Sequence, residues 1–139
     1  MAPHHAIQQR TRNQDTLTRY FQLLTALDID AWIQLWAENC TVLTPFAPRA
    51  PHRIDGREAL HAFYAAQAAT YTQLAYPGTE IHPLQDPAKL LARWYPKGEL
   101  AAGGSYANEN VGLFEFDQQG RIRHFTEYFN PLPVTQDAA

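Results

Sequence analysis

Residues 120–134 read GRIRHFTEYFNPLPV. Alternation over this stretch predicts a strand with Phe125, Glu127 and Phe129 on one face and His124 on the other. A carboxylate between two phenylalanines asks what that face covers. The preceding GGSYANENVGLFEF (103–116) has the same character, and DQQG (117–120) joins the two as a tight antiparallel hairpin with Gly120 left-handed. Strict alternation along 103–116 places Tyr106, Asn108, Asn110, Phe114 and Phe116 on the inward face, unless a bulge near the glycines turns Asn110 out.

Working outward, AKLLARWYP (88–96) reads as a third strand ending in a turn at Lys97–Gly98, and TEIHPL (79–84) as a short strand with an edge-type proline. The N-terminal half is helical. TLTRYFQLLTAL (16–27) aligns Leu17, Tyr20, Phe21 and Leu24. DIDAWIQLWAEN (28–39) restarts a helix with Asp30 as N-cap and Trp32, Leu35 and Trp36 pointing inward. CTVLTPF (40–46) is a strand broken at Pro45, and PFAPRAPHRI (45–54) is a stiff proline loop. DGREALHAFYAAQAATY (55–71) is a third helix with Leu60, Phe63, Tyr64 and Gln67 on one stripe.

Helices first and antiparallel strands afterwards predict an α+β domain. A curved, cone-shaped antiparallel or mixed sheet wrapped around three N-terminal helices buries both layers. It leaves a pocket between the concave face and the first and third helices. The expected division is a flexible N-terminus (1–14), one domain (15–134) and a C-terminal tail (135–139).

The chain has 139 residues, 45% of them hydrophobic, and a net charge of −3. That suits one domain with one core. No basic block marks a nucleic-acid partner. The single cysteine, Cys40, excludes an intrachain disulfide and a cysteine-based zinc site, and reads as a small buried residue. The start has no apolar secretory core, and no run is long and apolar enough to span a bilayer. The expectation is a cytoplasmic protein without membrane contact. No Asp/Glu/His cluster has metal-ligand spacing, no Gly-rich loop follows a strand and no Gly-x-Ser-x-Gly motif occurs, so neither metal nor cofactor is expected. His52, His61, His82 and His124 read as surface or interface residues.

The helix RYFQLLTALDIDAWIQLWAENCTVLTPF, the IDGREAL helix start and the closing strands resemble the nuclear transport factor 2-like superfamily. Within it the chain is most similar to SnoaL-like proteins, including phenazine-biosynthesis A/B-type proteins. The carrying residues are Tyr106-x-Asn108, Phe114-x-Phe116, Gly120-x-Ile122 and Glu127-Tyr128-x-Asn130-Pro131. The resemblance covers about residues 15 to 134 and implies the cone-shaped fold. That fold hosts isomerases, dehydratases, cyclases, epoxide hydrolases and binding modules. Against ketosteroid isomerases, Tyr20 falls on the oxyanion-hole tyrosine, but Thr44 and Gly112 fall on the base and the second acid, which excludes that chemistry. Against limonene epoxide hydrolases, Glu127 falls on a catalytic aspartate and Arg93 on the orienting arginine, while Tyr95 replaces the second aspartate. Against the phenazine proteins, Glu127 falls on the acid, and Phe63 and Gln67 on a pocket histidine and serine.

Glu127 therefore recurs, and the resemblance makes its face the pocket wall. Aromatic surroundings raise a carboxyl's pKa and suit it to proton transfer, whereas Arg93 opposite would hold it ionised. The same two residues could instead form a buried structural ion pair. The expected catalytic set is Glu127 as acid/base, Arg93 to orient it and Tyr20 to bind substrate oxygen. The expected lining is Asn108, Asn110, Tyr106, Tyr95, Trp36, Thr44, Phe46, Phe63, Phe125 and Phe129. The function implied is isomerisation, dehydration or cyclisation of an apolar carbonyl or polycyclic metabolite without a cofactor. A non-catalytic ligand-binding or accessory protein is the alternative, and an epoxide hydrolase variant the third reading. Leu90, Ala92, Trp94, Val111, Leu113, Ile122 and Tyr128 are expected on the outer sheet face. Such an apolar surface, together with the resemblance, implies a homodimer.

Overall fold

The computed structural model describes residues 3–137. Helix α1 spans Pro3–Thr25. Its stripe of Leu17, Tyr20, Phe21 and Leu24 is buried as the periodicity requires. The helix starts well before Thr16, which corrects the expected flexible segment over residues 3–14. This first half is tied down by long-range bonds. Asn13, fully buried, donates to the Pro87 carbonyl (3.2 Å), Arg10 to those of Leu84 (3.2 Å) and Gln85 (2.7 Å), and Arg12 to that of Gln118 (3.2 Å).

Helix α2 is shorter than expected, Ile29–Trp32, and its cap is Asp28, whose side chain accepts from Ala31 N at 3.1 Å. Asp30 instead meets His61 (2.7 Å). A 3-10 turn, Ile33–Leu35, leads directly into β1, Trp36–Leu43. The helical reading of 36–39 fails because Trp32 and Trp36 fill the core from either conformation. The β1 backbone finds its partners in two neighbouring strands. It pairs antiparallel with β2 (Arg53–Asp55) and parallel with β9 (Ile122–Phe129).

After α3 (Arg57–Ala68) come β3 (Tyr71–Ala75), β4 (Glu80–Pro83), β5 (Lys89–Trp94), β6 (Lys97–Leu100), β7 (Ser105–Ala107) and β8 (Asn110–Phe116); α4 (Pro131–Asp137) follows β9. One six-stranded mixed sheet has the order β2-β1-β9-β8-β5-β4, and β3-β6-β7 form a second sheet. With the helices this is the expected α+β cone. Pro83 lies on the edge strand β4, and Gly120 takes the left-handed conformation (φ 81°) in the β8–β9 hairpin. Two strand assignments change. Lys97–Gly98 is not a turn but opens β6, where Gly98 passes so close to Tyr71 that a Cβ would meet its ring at 2.4 Å. The long strand expected over 103–116 is interrupted between β7 and β8. Of the expected C-terminal tail, 135–137 complete α4, whereas residues 138–139, like residues 1–2, lie outside the described residues.

The phase of β5 is the largest correction. Leu90, Ala92 and Trp94 face the core and are buried, while Lys89 and Arg93 face out. Ile122 is also buried, because an irregularity in the β8–β9 pairing lets Phe116 meet Ile122 two residues from the Glu115–His124 pair. Leu90, Ala92, Trp94 and Ile122 therefore do not belong to the outer face. Val111, Leu113 and Tyr128 do, together with Leu91. The core is an aromatic cluster: Phe114 stacks on Phe125 (centroids 4.2 Å apart), and Tyr20 meets Phe114 edge-on (5.4 Å).

Candidate functional site

Strand β9 turns Phe125, Glu127 and Phe129 to the concave face, as its alternation predicts. Phe125 is fully buried beneath the site. Glu127 and Phe129 border a cavity of ≈ 700 Å³ between the sheet and helices α1 and α3. Tyr20 and Leu24 reach it from α1, Phe63, Tyr64 and Gln67 from α3, Trp94 from β5, Tyr106 from β7 and Asn110 from β8. The size and mixed aromatic lining fit a small organic ligand.

Glu127 is only partly accessible, and its accessible side is the cavity. Protein surrounds its carboxyl, and this burial pushes the pKa up to about 7; a hydrogen bond from Asn110 opposes the rise. Asn110 Nδ2 donates to Glu127 Oε2 at 3.1 Å. Register explains the contact: Gly112 pairs with Glu127 and Asn110 with Phe129, so Asn110 and Glu127 are diagonal neighbours. Gly112 has no room for a side chain, since a Cβ there would lie 2.4 Å from the Phe125 ring and 2.7 Å from that of Trp94. No second carboxylate among the described residues lines the cavity.

Five tyrosines line this space, Tyr20, Tyr64, Tyr71, Tyr76 and Tyr106, and three of them have their pKa shifted by it. Tyr20 is buried, and its hydroxyl interacts with that of Tyr64. Burial raises the pKa of both above the ordinary phenol value, and it does the same for Tyr76; the charge of Glu127 reaches all three. They are therefore neutral hydrogen-bond donors at any ordinary pH. Tyr20, Tyr64 and Tyr76 all border the cavity. Tyr20 thus lies on the cavity wall, where it was expected.

Several expected residues lie elsewhere. Arg93 projects outward, pairs with Glu109 through Nε (2.9 Å) and Nη2, and lies over the Tyr95 ring (5.4 Å). Neither an orienting role for Arg93 on Glu127 nor a buried Arg93–Glu127 pair exists. Tyr95 sits against Gly78 and does not line the cavity. Asn108 is spent on structure: Nδ2 donates to the Tyr106 hydroxyl (2.7 Å) and the Asn130 carbonyl (2.9 Å), and Oδ1 accepts from Glu109 N (2.8 Å). The break after β7 turns it away from the concave face. Thr44 belongs to the proline loop, donating to the Pro51 carbonyl (3.2 Å). Phe46 is 58% exposed and packs on Tyr128, away from the cavity. Trp36 is wholly buried beneath Tyr20 and Phe125 and, like Phe125, does not reach the cavity surface.

Sequence reasoning passed over Tyr64, Tyr76, Trp94 and Arg49 as site residues. Tyr64 had a signal, its place on the α3 stripe. Trp94 was lost with the β5 phase. Tyr76 lies in a turn without periodicity, and Arg49 in the proline loop. Among the described residues no group of His, Cys, Asp and Glu could hold a metal, and no helix is long and apolar enough to cross a membrane.

The whole architecture recurs in solved structures. A candidate isomerase from Bacillus subtilis superposes with a TM-score of 0.84 at 24% identity, over 92% of this chain and 93% of that one. A phenazine biosynthesis-related protein from Pseudomonas aeruginosa gives 0.83 at 18% identity, over 97% and 90%. In sequence, the uncharacterized protein YesE of Bacillus subtilis is 24% identical over 124 residues, 88% of this chain and 84% of its own length. The sequence profile of the SnoaL-like domain matches residues 17–125, from the last part of α1 to the first half of β9, and the chain therefore belongs to the SnoaL-like family.

Proposed function

We propose that the protein is a small-molecule enzyme in which Glu127 moves a proton on an apolar carbonyl compound. The reaction is an isomerisation, dehydration or cyclisation that needs no cofactor. The observation that carries this reading is the carboxyl itself. It borders an aromatic cavity, has a pKa of about 7, and receives one neutral hydrogen bond and no cationic one among the described residues. A group titrating near neutrality is populated both as base and as acid, which a proton shuttle requires. The designation of the Bacillus subtilis neighbour as a candidate isomerase agrees with this chemistry.

In the forward sense the ionised Glu127 takes a proton from a carbon next to the substrate carbonyl. The electron pair moves onto the carbonyl oxygen, where the hydroxyl of Tyr64 or Tyr76 donates a hydrogen bond to the enolate. Glu127 returns the same proton to another carbon, or to a departing hydroxyl in a dehydration. Tyr20, on the same wall, is a further neutral donor to that oxygen. Epoxide hydrolysis is disfavoured because the single carboxylate has neither a second acid nor Arg93 beside it. The outer sheet face, with Leu91, Val111, Leu113 and Tyr128, is proposed to pair with a second copy of the chain.

The test is proton exchange. In D2O, wild-type protein should accelerate deuterium uptake at the acidic ring carbon of 2-tetralone, followed by proton NMR. Glu127→Gln should lose roughly 100-fold or more of that rate. Equal exchange by wild type and Glu127→Gln would remove Glu127 from the chemistry.

A further inference from the structure

The cavity wall carries two charged side chains of opposite sign, Glu127 and Arg49. Arg49 comes from the proline loop between β1 and β2 and is exposed. Ion pairs among the described residues engage Arg53, His61, Lys89, Arg93 and His124. Arg49 has no acidic partner there. Nor does it form an ion pair with Glu127. The two charges border one space without pairing.

The loop that presents Arg49 is held in shape by its own bonds. Thr44 N donates to the His52 carbonyl (2.9 Å), Ala47 N to the Thr44 carbonyl (3.2 Å), and the His52 ring bonds the Ala47 carbonyl (2.9 Å). Pro45, Pro48 and Pro51 restrict its backbone further. A guanidinium stays charged at every ordinary pH and offers a planar fork of donors that matches a carboxylate. Left without a partner on the rim of an apolar cavity, it favours a ligand that supplies the missing anion. Electrostatics also dictates the ligand's direction. A carboxylate beside Glu127 would oppose the ionisation that a base needs, whereas one beside Arg49 would not.

We infer that the substrate is an apolar ring compound bearing a carboxylate, bound with the carboxylate on Arg49, the rings between Phe63 and Trp94, and the reacting carbon at Glu127. The placement of the reacting carbon rests on the proton-transfer reading above; the anion preference does not. Wild-type protein should bind naphthalene-2-carboxylate more tightly than the neutral naphthalene-2-carboxamide in isothermal titration calorimetry, by roughly ten-fold. The difference should shrink with added salt. Arg49→Gln should erase it, Arg49→Lys should keep part of it, and Glu127→Gln should leave it in place. Equal wild-type affinities, no binding of either probe at millimolar concentration, or a preference that survives Arg49→Gln would overturn the inference. A carboxylate preference in a protein that fails the 2-tetralone exchange test would leave the ligand class standing and remove the catalysis.

Discussion

Asn110 and Glu127 stand diagonally across β8 and β9, joined by a 3.1 Å hydrogen bond in which the amide donates to the carboxylate. This amide is the one hydrogen-bond donor to that carboxyl among the described residues. Burial favours the protonated acid and the amide favours the carboxylate; burial wins, and the group titrates near pH 7.

Stability should follow that balance. The native pKa lies above the ordinary carboxyl value, so between about pH 4.5 and 7 the folded state binds more protons than the unfolded chain. Stability falls as pH rises through this window, by at most about 3 kcal/mol. Glu127→Gln removes the titration. The variant should match wild type near pH 4 and exceed its melting temperature at pH 8. A variant that melts lower than wild type at pH 8 would contradict the assignment.

Replacing Asn110 by Leu removes the donor at similar volume. The pH midpoint of Glu127 should rise by about one unit, since a hydrogen bond to a charged group contributes roughly 1.5 kcal/mol. The acidic limb of the 2-tetralone exchange profile, or the carboxyl carbon shift in NMR, reads this directly. A stability change with an unmoved midpoint would reduce Asn110 to packing.

Arg93→Ala should alter neither the Glu127 midpoint nor the exchange rate, because its partner is Glu109. Both members of that pair are about half exposed, so the expected loss of stability is below about 1 kcal/mol. A midpoint displaced upward in this variant would show that the carboxyl senses the guanidinium after all.

Gly112→Ala forces a methyl against the rings of Phe125 and Trp94. Overpacking of this kind typically costs about 1–3 kcal/mol. A chemical denaturation midpoint equal to that of wild type would mean that the rings give way freely.

The outer sheet face offers the test of self-association. Leu113→Glu places a charge at the centre of the proposed contact, and light scattering should report monomers where wild type forms dimers. A monomeric wild type at micromolar concentration ends the proposal. Trp94 is no probe of this surface, because it faces the core.

Helix α1 and strand β9 were legible from the chain alone. Leu17, Tyr20, Phe21 and Leu24 fit only the helical period, and alternation sets Phe125, Glu127 and Phe129 on one face, against His124 and Thr126 on the other. That alternation was enough to put a carboxylate on the concave wall. Its partners were not legible. In Lys89–Trp94 hydropathy alone favours Leu90, Ala92 and Trp94 facing in, but the resemblance that sets Arg93 opposite Glu127 points the other way. The pairing of Ala92 with Gly112, and of Gly112 with Glu127, decides it: Trp94 joins the cavity and Arg93 goes to the surface. The same holds for Trp36, whose burial suits a helix or a strand until Ile122 of β9 pairs with it. Local sequence carries periodicity, which assigns an element and often its buried face. Which side chains meet across the cavity depends on strand register and loop closure, and these are set by long-range pairing that no single segment contains.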